Sequence, residues 1–231
     1  MPKISEVTNQ MNPVAWLEQE LDKYDQTTVR PPKKRDYFSP SSAHWCPRAI
    51  WYYMMGYTQD PIPANNLRRM MVGTVYHEWL EEKLKGTGVL VSSEEEVTWA
   101  DPPIVGHYDG IIERPSDGKH LLLEIKSIAN PKSKYALKYL PRTEHLIQWN
   151  LYSMMTDLEE GLIFYINKNT QDYLIYPVER DQALLDTTLH KLRKIKKYID
   201  EGDKVPYRPK ENHDWCNFQT LCEREHFVEG I

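Results

Sequence analysis

Two neighbouring segments read Gly106-His-Tyr-Asp109-Gly-Ile-Ile112 and Leu121-Leu-Leu-Glu124-Ile-Lys126-Ser127. Both have the apolar pattern and the length of a β-strand. Because residues i and i+2 of a strand share a face, Glu124 and Lys126 point the same way, with Ile125 buried behind them. If the two strands pair, Asp109 joins this group. Two carboxylates beside one ammonium suit a hard cation and the metal-assisted hydrolysis of a phosphodiester.

The competing interpretation of the second segment is a buried ion pair between Glu124 and Lys126. Three leucines precede Glu124, so its strand is predicted to be buried, and a buried carboxylate needs a partner or a metal. Neighbours on one strand face cannot easily neutralise each other in full, which weakens the ion-pair interpretation. Short motifs of this kind also arise by chance, so the surrounding sequence has to decide.

The overall composition is that of a globular protein with one main domain. Of the 231 residues, 40% are hydrophobic and 27% are charged, which is enough apolar material for a sizeable core. No apolar run approaches the ~20 residues that span a membrane. The N-terminus, Met-Pro-Lys-Ile-Ser-Glu, has no apolar signal core. We therefore expect a cytoplasmic protein with no membrane partner.

The charge of the chain is unevenly distributed. The net charge is −5, yet residues 126–142 and 191–197 are rich in lysine and arginine. A local basic track can bind phosphates despite a negative total. For 191–197, an ordinary solvated helix face is an equally good interpretation. The candidate DNA-binding residues are Lys132, Lys134, Lys138 and Arg142.

Hydrophobic periodicity predicts helices and strands in alternation, hence an α/β fold with a mixed central sheet flanked by helices. We expect a helix opened by Ser39-Pro40 to carry Cys46 in its early turns and to run to about Tyr53. The tail from Gly202 is expected to be irregular. The other predicted helices are 13–24, 67–85, 143–156 and 180–200, and the predicted strands are 89–99, 104–113, 121–127, 161–167 and 173–178, with a turn at 116–118.

Two further motifs flank the acidic residues in the sequence. Gly73-Thr-Val-Tyr-His77 places a histidine on a helix upstream, where it could supply a nitrogen ligand to the same cation. Gln148-Trp-Asn-Leu-Tyr152 places an amide and a phenol one helical turn apart on one face. Taken singly, a structural or exposed histidine and ordinary helix packing are the favoured explanations of these motifs.

The ordered set Gly-x-x-x-His, Gly-x-x-Asp, Glu-x-Lys and Gln-x-x-x-Tyr resembles the RecB-like branch of the PD-(D/E)XK nucleases over about residues 39–222. The resemblance implies a restriction-endonuclease-like core for a single domain at 39–231, preceded by an N-terminal helix and basic linker at 1–38. It implies that Lys126 orients or activates the attacking water. The implied ligands of Mg²⁺ or Mn²⁺ are His77, Asp109, Glu124 and the Ile125 carbonyl, and the implied catalytic residues are Asp109, Glu124, Lys126, Gln148 and Tyr152.

The three cysteines point to a second metal centre, because thiols in a reducing compartment ligate metals more often than they form disulfides. The tail His213-Asp-Trp-Cys216-Asn-Phe-Gln-Thr-Leu-Cys222, together with Cys46, resembles the iron–sulfur form of these nucleases found in the AddB subunit and in CRISPR adaptation. That form carries Cys-x2-Cys-x5-Cys, and His213 here replaces the first cysteine. We expect Cys46, His213, Cys216 and Cys222 to hold a [4Fe-4S] cluster that joins the two chain ends, with structural zinc or three free buried thiols as alternatives.

The resemblance implies a Mg²⁺- or Mn²⁺-dependent DNA nuclease. An exonuclease on single-stranded or frayed DNA ends is the favoured form, with recombination or CRISPR-adaptation proteins as candidate partners. One alternative is a DNA-binding or assembly module that keeps the nuclease fold and metal staple without turnover. Another is a zinc-stabilised regulatory protein. The intact set of Asp109, Glu124 and Lys126 favours the enzyme.

Overall fold

A computed structural model of the protein describes residues 13–129, 139–202 and 216–228. The helices in these ranges are α1 (Pro13–Thr27), α2 (Pro47–Met55), α3 (Ala64–Thr87), α4 (Thr143–Thr156), α5 (Gln182–Asp200) and α6 (Gln219–Val228). The strands are β1 (Leu90–Ser92), β2 (Glu96–Trp99), β3 (Ile104–His107), β4 (Gly110–Arg114), β5 (Lys119–Ile128), β6 (Glu160–Asn167) and β7 (Tyr173–Glu179). None of the helices in the described ranges is long and apolar enough to cross a bilayer.

Five of the strands form a mixed sheet in the order β1-β4-β5-β6-β7. Strands β5 and β6 run parallel, and the other neighbours are antiparallel. The parallel pair needs a long crossover, and α4 lies within it. Strands β2 and β3 form a separate antiparallel ribbon. The predicted mixed sheet flanked by helices is confirmed.

Strand β5 divides the core into two layers because its side chains alternate between the two faces of the sheet. Leu123 and Ile125 pack with Leu80 of α3 on one face. Leu122 and Ile128 pack with Trp149 of α4 on the other. Ile125 therefore lies behind Glu124 and Lys126, as predicted, and the polar side chains of β5 face the α4 side.

The segments predicted as continuous strands at 89–99 and 104–113 are each divided in two, so these predictions were wrong. Strands β1 and β2 belong to different sheets, and β3 separates from β4 at Tyr108 and Asp109. The buried Tyr108 hydroxyl lies 2.7 Å from both Ser92 Oγ and Glu95 Oε2, which fixes the two breaks against each other. Alternation of apolar residues continues through such breaks, so periodicity does not detect them.

The predictions for the cysteine-bearing segments also need correction. Ser39-Pro40 opens only a 3-10 turn at Pro40–Ser42, and α2 begins at Pro47. Cys46 is the N-cap of α2, with its sulfur accepting a hydrogen bond from the Ala49 amide at 3.4 Å. The tail predicted to be irregular contains α6, which includes Cys222 and is held by the buried Phe218.

The N-terminal helix packs on α3 through charged contacts. Arg68 of α3 lies 2.7 Å from Asp22 and 2.8 Å from Asp25 of α1. In the basic linker, the Arg35 guanidinium stacks 4.2 Å above the Tyr53 ring, and its amide donates to the Met54 carbonyl. The division of the chain between residues 38 and 39 stays a prediction.

Gly161 on β6 is expected to be intolerant of a side chain. A Cβ atom there would lie 2.1 Å from the Leu122 carbonyl oxygen and 2.7 Å from the Trp149 ring. We expect Gly161→Ala to lower the free energy of unfolding by about 1–3 kcal/mol, because backbone and a fully buried ring cannot give way.

Denaturant unfolding followed by circular dichroism measures this effect. The matched control is Gly86→Ala in the exposed last turns of α3, where an added Cβ meets no atom within 4 Å. That substitution should raise the free energy of unfolding by about 0.5–1 kcal/mol through helix propensity. Equal effects at the two positions would contradict the packing argument.

Candidate metal and catalytic site

The site forms where β4 stops pairing with β5. Gly110, the first residue of β4, is opposite Leu123, so β5 has no β4 neighbour beyond that point. There the Asp109 side chain replaces the missing strand, and its Oδ2 accepts a hydrogen bond from the Ile125 amide at 2.6 Å. The amide and carbonyl of one strand residue point to the same edge, so the Ile125 carbonyl also faces this gap.

His77 of α3 lies over the gap. Its Nε2 is 3.4 Å from Asp109 Oδ1, and its Nδ1 is 3.3 Å from Glu94 Oε1. The potential ligand atoms of His77, Glu94 and Asp109 all lie within 4.8 Å of one another, a spacing that could hold a metal ion. We call these three residues the acidic group.

Glu94 was missed as a candidate ligand in the sequence. It belongs to the run Glu94-Glu95-Glu96, which leads from β1 into β2. Only its position in the connection between these two strands turns it toward His77. Its φ of 52° is the left-handed conformation that reverses the chain there. The acidic run was visible in the sequence, but which of its three members faces inward depends on tertiary structure.

Glu124 and Lys126 form a direct ion pair between Oε1 and Nζ. Glu124 is 1% exposed, and the Lys126 side chain is 25% exposed. The ion pair, the competing interpretation of the sequence, is therefore present, but it does not neutralise Glu124 in full, because the pKa of Glu124 remains raised. The lysine side chain is long enough to fold back over the intervening Ile125 backbone and reach the carboxylate.

The Lys126 ammonium interacts with two carboxylates, those of Glu124 and Asp109. Burial and the neighbouring charge of Asp109 raise the pKa of Glu124 to about 8. Burial by itself would lower the pKa of Lys126, but Glu124 and Asp109 outweigh it and raise that pKa. Burial and Asp109 also raise the pKa of Glu94. The negative charges are thus only partly compensated by the protein.

His77 connects the acidic group to the ion pair. The nearby Asp109 carboxylate, with its oxygen 3.4 Å from Nε2, raises the pKa of His77. Burial by itself would raise the pKa of Asp109, but His77 and Lys126 more than offset that effect and lower it. His77 Nε2 is a buried atom without a hydrogen bond of good geometry. An imidazole nitrogen and carboxylate oxygens around an excess of negative charge fit Mn²⁺ or Mg²⁺.

Tyr152 and Gln148 are both buried in α4, in a stretch, 148–153, that is buried on all sides of the helix. The Tyr152 hydroxyl bonds the His107 backbone at the end of β3. Gly106 makes room for this contact, because a Cβ atom there would lie 2.7 Å from the Tyr152 oxygen. Burial and the charge of Glu124 raise the pKa of Tyr152, so it is a neutral phenol.

The predicted DNA-binding residues are only partly described. Lys132, Lys134 and Lys138 lie outside the described residues, and Arg142 is half exposed, with its guanidinium 3.6 Å from Glu144. The basic run at 191–197 is largely engaged within the protein. Its contacts are Lys191 with the Ala43 and Trp45 carbonyls, Arg193 with Asp101, Lys196 with Asp200, and Lys197 with Glu201.

The cysteines from the two chain ends meet at one apolar cluster. The Cys46 and Cys216 thiols are hydrogen-bonded, and this contact, together with burial, raises the pKa of Cys216. Cys222 is buried, 3.9 Å from the Arg48 guanidinium. His213 lies outside the described residues. Within the described ranges the three thiols are a looser set than the acidic group.

Comparisons with known proteins give a family and a fold. The sequence profile of the PD-(D/E)XK nuclease superfamily matches residues 55–223. The crystal structure of SSO0001 is similar with a TM-score of 0.57 and 21% identity, covering 92% of this chain and 96% of that chain. No curated protein matches the sequence.

An alkaline exonuclease, LHK-Exo from Laribacter hongkongensis, is similar with a TM-score of 0.52 and 11% identity, covering 91% of this chain and 99% of that chain. LHK-Exo in complex with dAMP gives a TM-score of 0.51 and 13% identity, with 84% and 95% covered. At these identities the structural similarities establish the fold alone.

The raised pKa values predict that cation binding at the acidic group releases protons. Without a cation, the raised pKa of Glu124, about 8, leaves its carboxyl group partly protonated at pH 7, so the ion pair with Lys126 is complete only when a nearby cation displaces that proton. We expect Mn²⁺ to release roughly one proton at pH 7 and to bind more tightly as the pH rises from 6 to 8. Titration calorimetry in two buffers with different ionisation enthalpies counts the protons.

The control for this experiment is Glu124→Gln, whose amide does not titrate. Its Mn²⁺ binding should release fewer protons at pH 7 than that of the wild-type protein. Binding that is independent of pH in the wild-type protein would show that the carboxylates are already ionised.

Proposed function

The chain belongs to the PD-(D/E)XK nuclease superfamily, and we propose that it is a Mg²⁺- or Mn²⁺-dependent deoxyribonuclease acting as an exonuclease on single-stranded or frayed DNA ends. The observation that carries the proposal is the meeting of the acidic group with the Glu124–Lys126 pair at one break in the sheet. LHK-Exo, which shares the fold, is an alkaline exonuclease and has been crystallised with dAMP. That neighbour supports the exonuclease form of the proposal.

The residues of the gap have distinct proposed roles. His77, Glu94 and Asp109 would hold the cation, with Glu124 and the Ile125 carbonyl completing the protein ligands. When bound, Mg²⁺ or Mn²⁺ supplies positive charge to the phosphate and lowers the pKa of water.

Lys126 is proposed to act as a hydrogen-bond donor in this reaction. Its raised pKa keeps it an ammonium, so it orients the attacking water and stabilises negative charge as it develops on the phosphate. Glu124 holds the ammonium in place through the buried ion pair. A protonated lysine cannot accept a proton, so Lys126 does not act as the general base.

Tyr152 and Gln148 are proposed to shape the α4 side of the site. The Tyr152 hydroxyl bonds the backbone of His107, two residues before Asp109. Its effect on the reaction would therefore come through the position of the Asp109 carboxylate. Gln148, one helical turn away and buried, is proposed to steady Lys126 and the substrate strand.

We also propose that Cys46, Cys216 and Cys222, with His213, hold a [4Fe-4S] cluster, with zinc as the competing metal. The support is the meeting of thiols from residue 46 and from the tail, and the hydrogen bond between the first two sulfurs. Such a centre would act as a staple between the chain ends rather than in the hydrolysis.

Replacing either member of the buried ion pair is expected to abolish cleavage. Glu124→Gln removes a carboxylate, and Lys126→Gln removes the ammonium that stabilises developing charge. We expect each to reduce the cleavage rate by roughly 10²-fold or more. The measurement is the digestion of end-labelled single-stranded DNA with Mn²⁺, with product sizes followed over time.

Glu113→Gln is the matched control, because Glu113 is an exposed carboxylate of β4 that faces His120 at 3.7 Å, away from the gap. It should cleave like the wild-type protein. Unimpaired cleavage by Glu124→Gln would exclude the proposed site. DNA binding without cleavage in the wild-type protein would instead support the non-catalytic module, and cleavage of circular single strands as fast as linear ones would exclude an exonuclease.

The cysteine centre predicts metal that is lost on substitution. We expect the anaerobically purified protein to contain iron and sulfide with visible absorbance, and Cys216→Ser to lose most of both. Thermal unfolding should occur at a lower temperature in that variant, because a link between distant chain segments is removed. Stoichiometric zinc in a colourless protein would show that the centre binds zinc instead of a cluster. A wild-type protein without metal would show that the three thiols are structural and bind no metal.

A further inference from the structure

A buried tyrosine and a half-buried histidine lie beside Lys126 and belong to neither the acidic group nor the ion pair. Tyr165 of β6 is opposite Lys126 in the parallel pairing of β5 with β6, so both side chains are on the α4 face. The Tyr165 oxygen lies 2.7 Å from His145 Nδ1, in the first turn of α4. The charge of Lys126 acts on both residues.

The hydrogen bonds of Tyr165 determine which ring nitrogen of His145 carries its proton. The Arg142 amide donates to the Tyr165 oxygen at 3.1 Å. Tyr165 is 0% exposed, and His145 Nδ1 is the acceptor that the structure places beside its hydroxyl. The hydroxyl therefore donates to Nδ1, which leaves the hydrogen of the imidazole on Nε2.

The imidazole is neutral at physiological pH. Burial, followed by the charge of Lys126, lowers the pKa of His145 to about 4. In a neutral imidazole with Nδ1 as acceptor, Nε2 is a donor only. Among the described residues none accepts a hydrogen bond from Nε2, and because the His145 side chain is half-buried rather than enclosed, this donor can reach a bound molecule.

The surroundings of this donor suit an anion. Two of the groups whose charges act on His145 are cations, the ammonium of Lys126 and the half-exposed guanidinium of Arg142, and a third is the imidazole of His44. The acid nearby, Glu144, already faces Arg142 at 3.6 Å. Phosphate oxygens accept hydrogen bonds from donors of this kind. A DNA strand bound at the acidic group presents one phosphate on each side of the scissile phosphate.

We propose that His145 is a substrate-binding residue whose Nε2 hydrogen bonds a phosphate that flanks the scissile phosphate, and that Tyr165 is the positioning residue that orients it. This inference rests on the proposed nuclease function, because it requires a DNA strand at the acidic group. A neutral donor holds the strand next to Lys126 without adding a second cation that would repel the ammonium.

Two isosteric substitutions separate substrate binding from a structural role. An Asn side-chain amide lies near the position of Nδ1, so His145→Asn keeps a partner for Tyr165 and loses the outer donor. A Gln amide lies near the position of Nε2, so His145→Gln keeps the outer donor. We expect kcat/KM for single-stranded DNA to fall about tenfold in His145→Asn and by less in His145→Gln.

The substrate provides the second half of the test. A methylphosphonate replaces one phosphate oxygen by a methyl group and removes the charge. Placed at the contacted flanking phosphate, it should reduce wild-type kcat/KM by about tenfold and leave His145→Asn with little further loss. If His145 has only a structural role, the loss of kcat/KM from His145→Asn and the loss from the methylphosphonate will multiply at both flanking phosphates. That result would overturn the proposal.

Controls keep the outcome interpretable. His120→Gln, an exposed position at the far end of β5, should retain the wild-type response to both methylphosphonates. Tyr165→Phe should reduce the response while leaving the packing of the ring intact, and it replaces the His145 variants if those fail to fold. Wild-type protein that does not cleave DNA refutes the proposed function, whereas cleavage with multiplying losses refutes the role of His145 alone.

Discussion

The hydrogen bond from the Ile125 amide to Asp109 is the contact on which the site depends. It ends the pairing of β4 with β5 without leaving the amide of a central strand unsatisfied. One oxygen of Asp109 is fixed to the sheet, and the other faces His77. The Ile125 carbonyl remains at the open edge. The same bond therefore creates the gap and orients the groups that line it.

The gap brings together negative charges that the cationic side chains of the protein do not neutralise in full. Asp109 repels both Glu124 and Glu94, and Lys126 and His77 compensate for these charges only in part. Such an arrangement lowers the stability of the folded protein. It persists because β5 is packed on both faces, with Ile125 against α3 and Leu122 against α4. The rigid core holds the carboxylates at separations that they would not adopt in solution.

The parts predictable from sequence are those set by local geometry. The period of two in a strand placed Glu124 and Lys126 on one face, and the period of a helix placed Gln148 and Tyr152 together. Glu94, Tyr165 and His145 escaped notice because their positions follow from strand breaks and from the parallel pairing of β5 with β6. Neither leaves a pattern in the neighbouring residues. Long-range register decides which polar side chains share a site.

The gap around Glu124 and the cysteine cluster have one electrostatic property in common. In each, a proton is held more tightly than usual: on Glu124 by burial and Asp109, and on Cys216 by the hydrogen bond with Cys46. A bound cation replaces such a proton, so metal binding and proton release are coupled at both places. They differ in preorganisation. Asp109 is fixed by the β5 backbone, whereas Cys216 precedes α6 and its thiol is hydrogen-bonded to another thiol, that of Cys46. A catalytic cation needs ligands that are already in place, as Asp109 is. A structural metal centre can itself bring its ligands together when it binds.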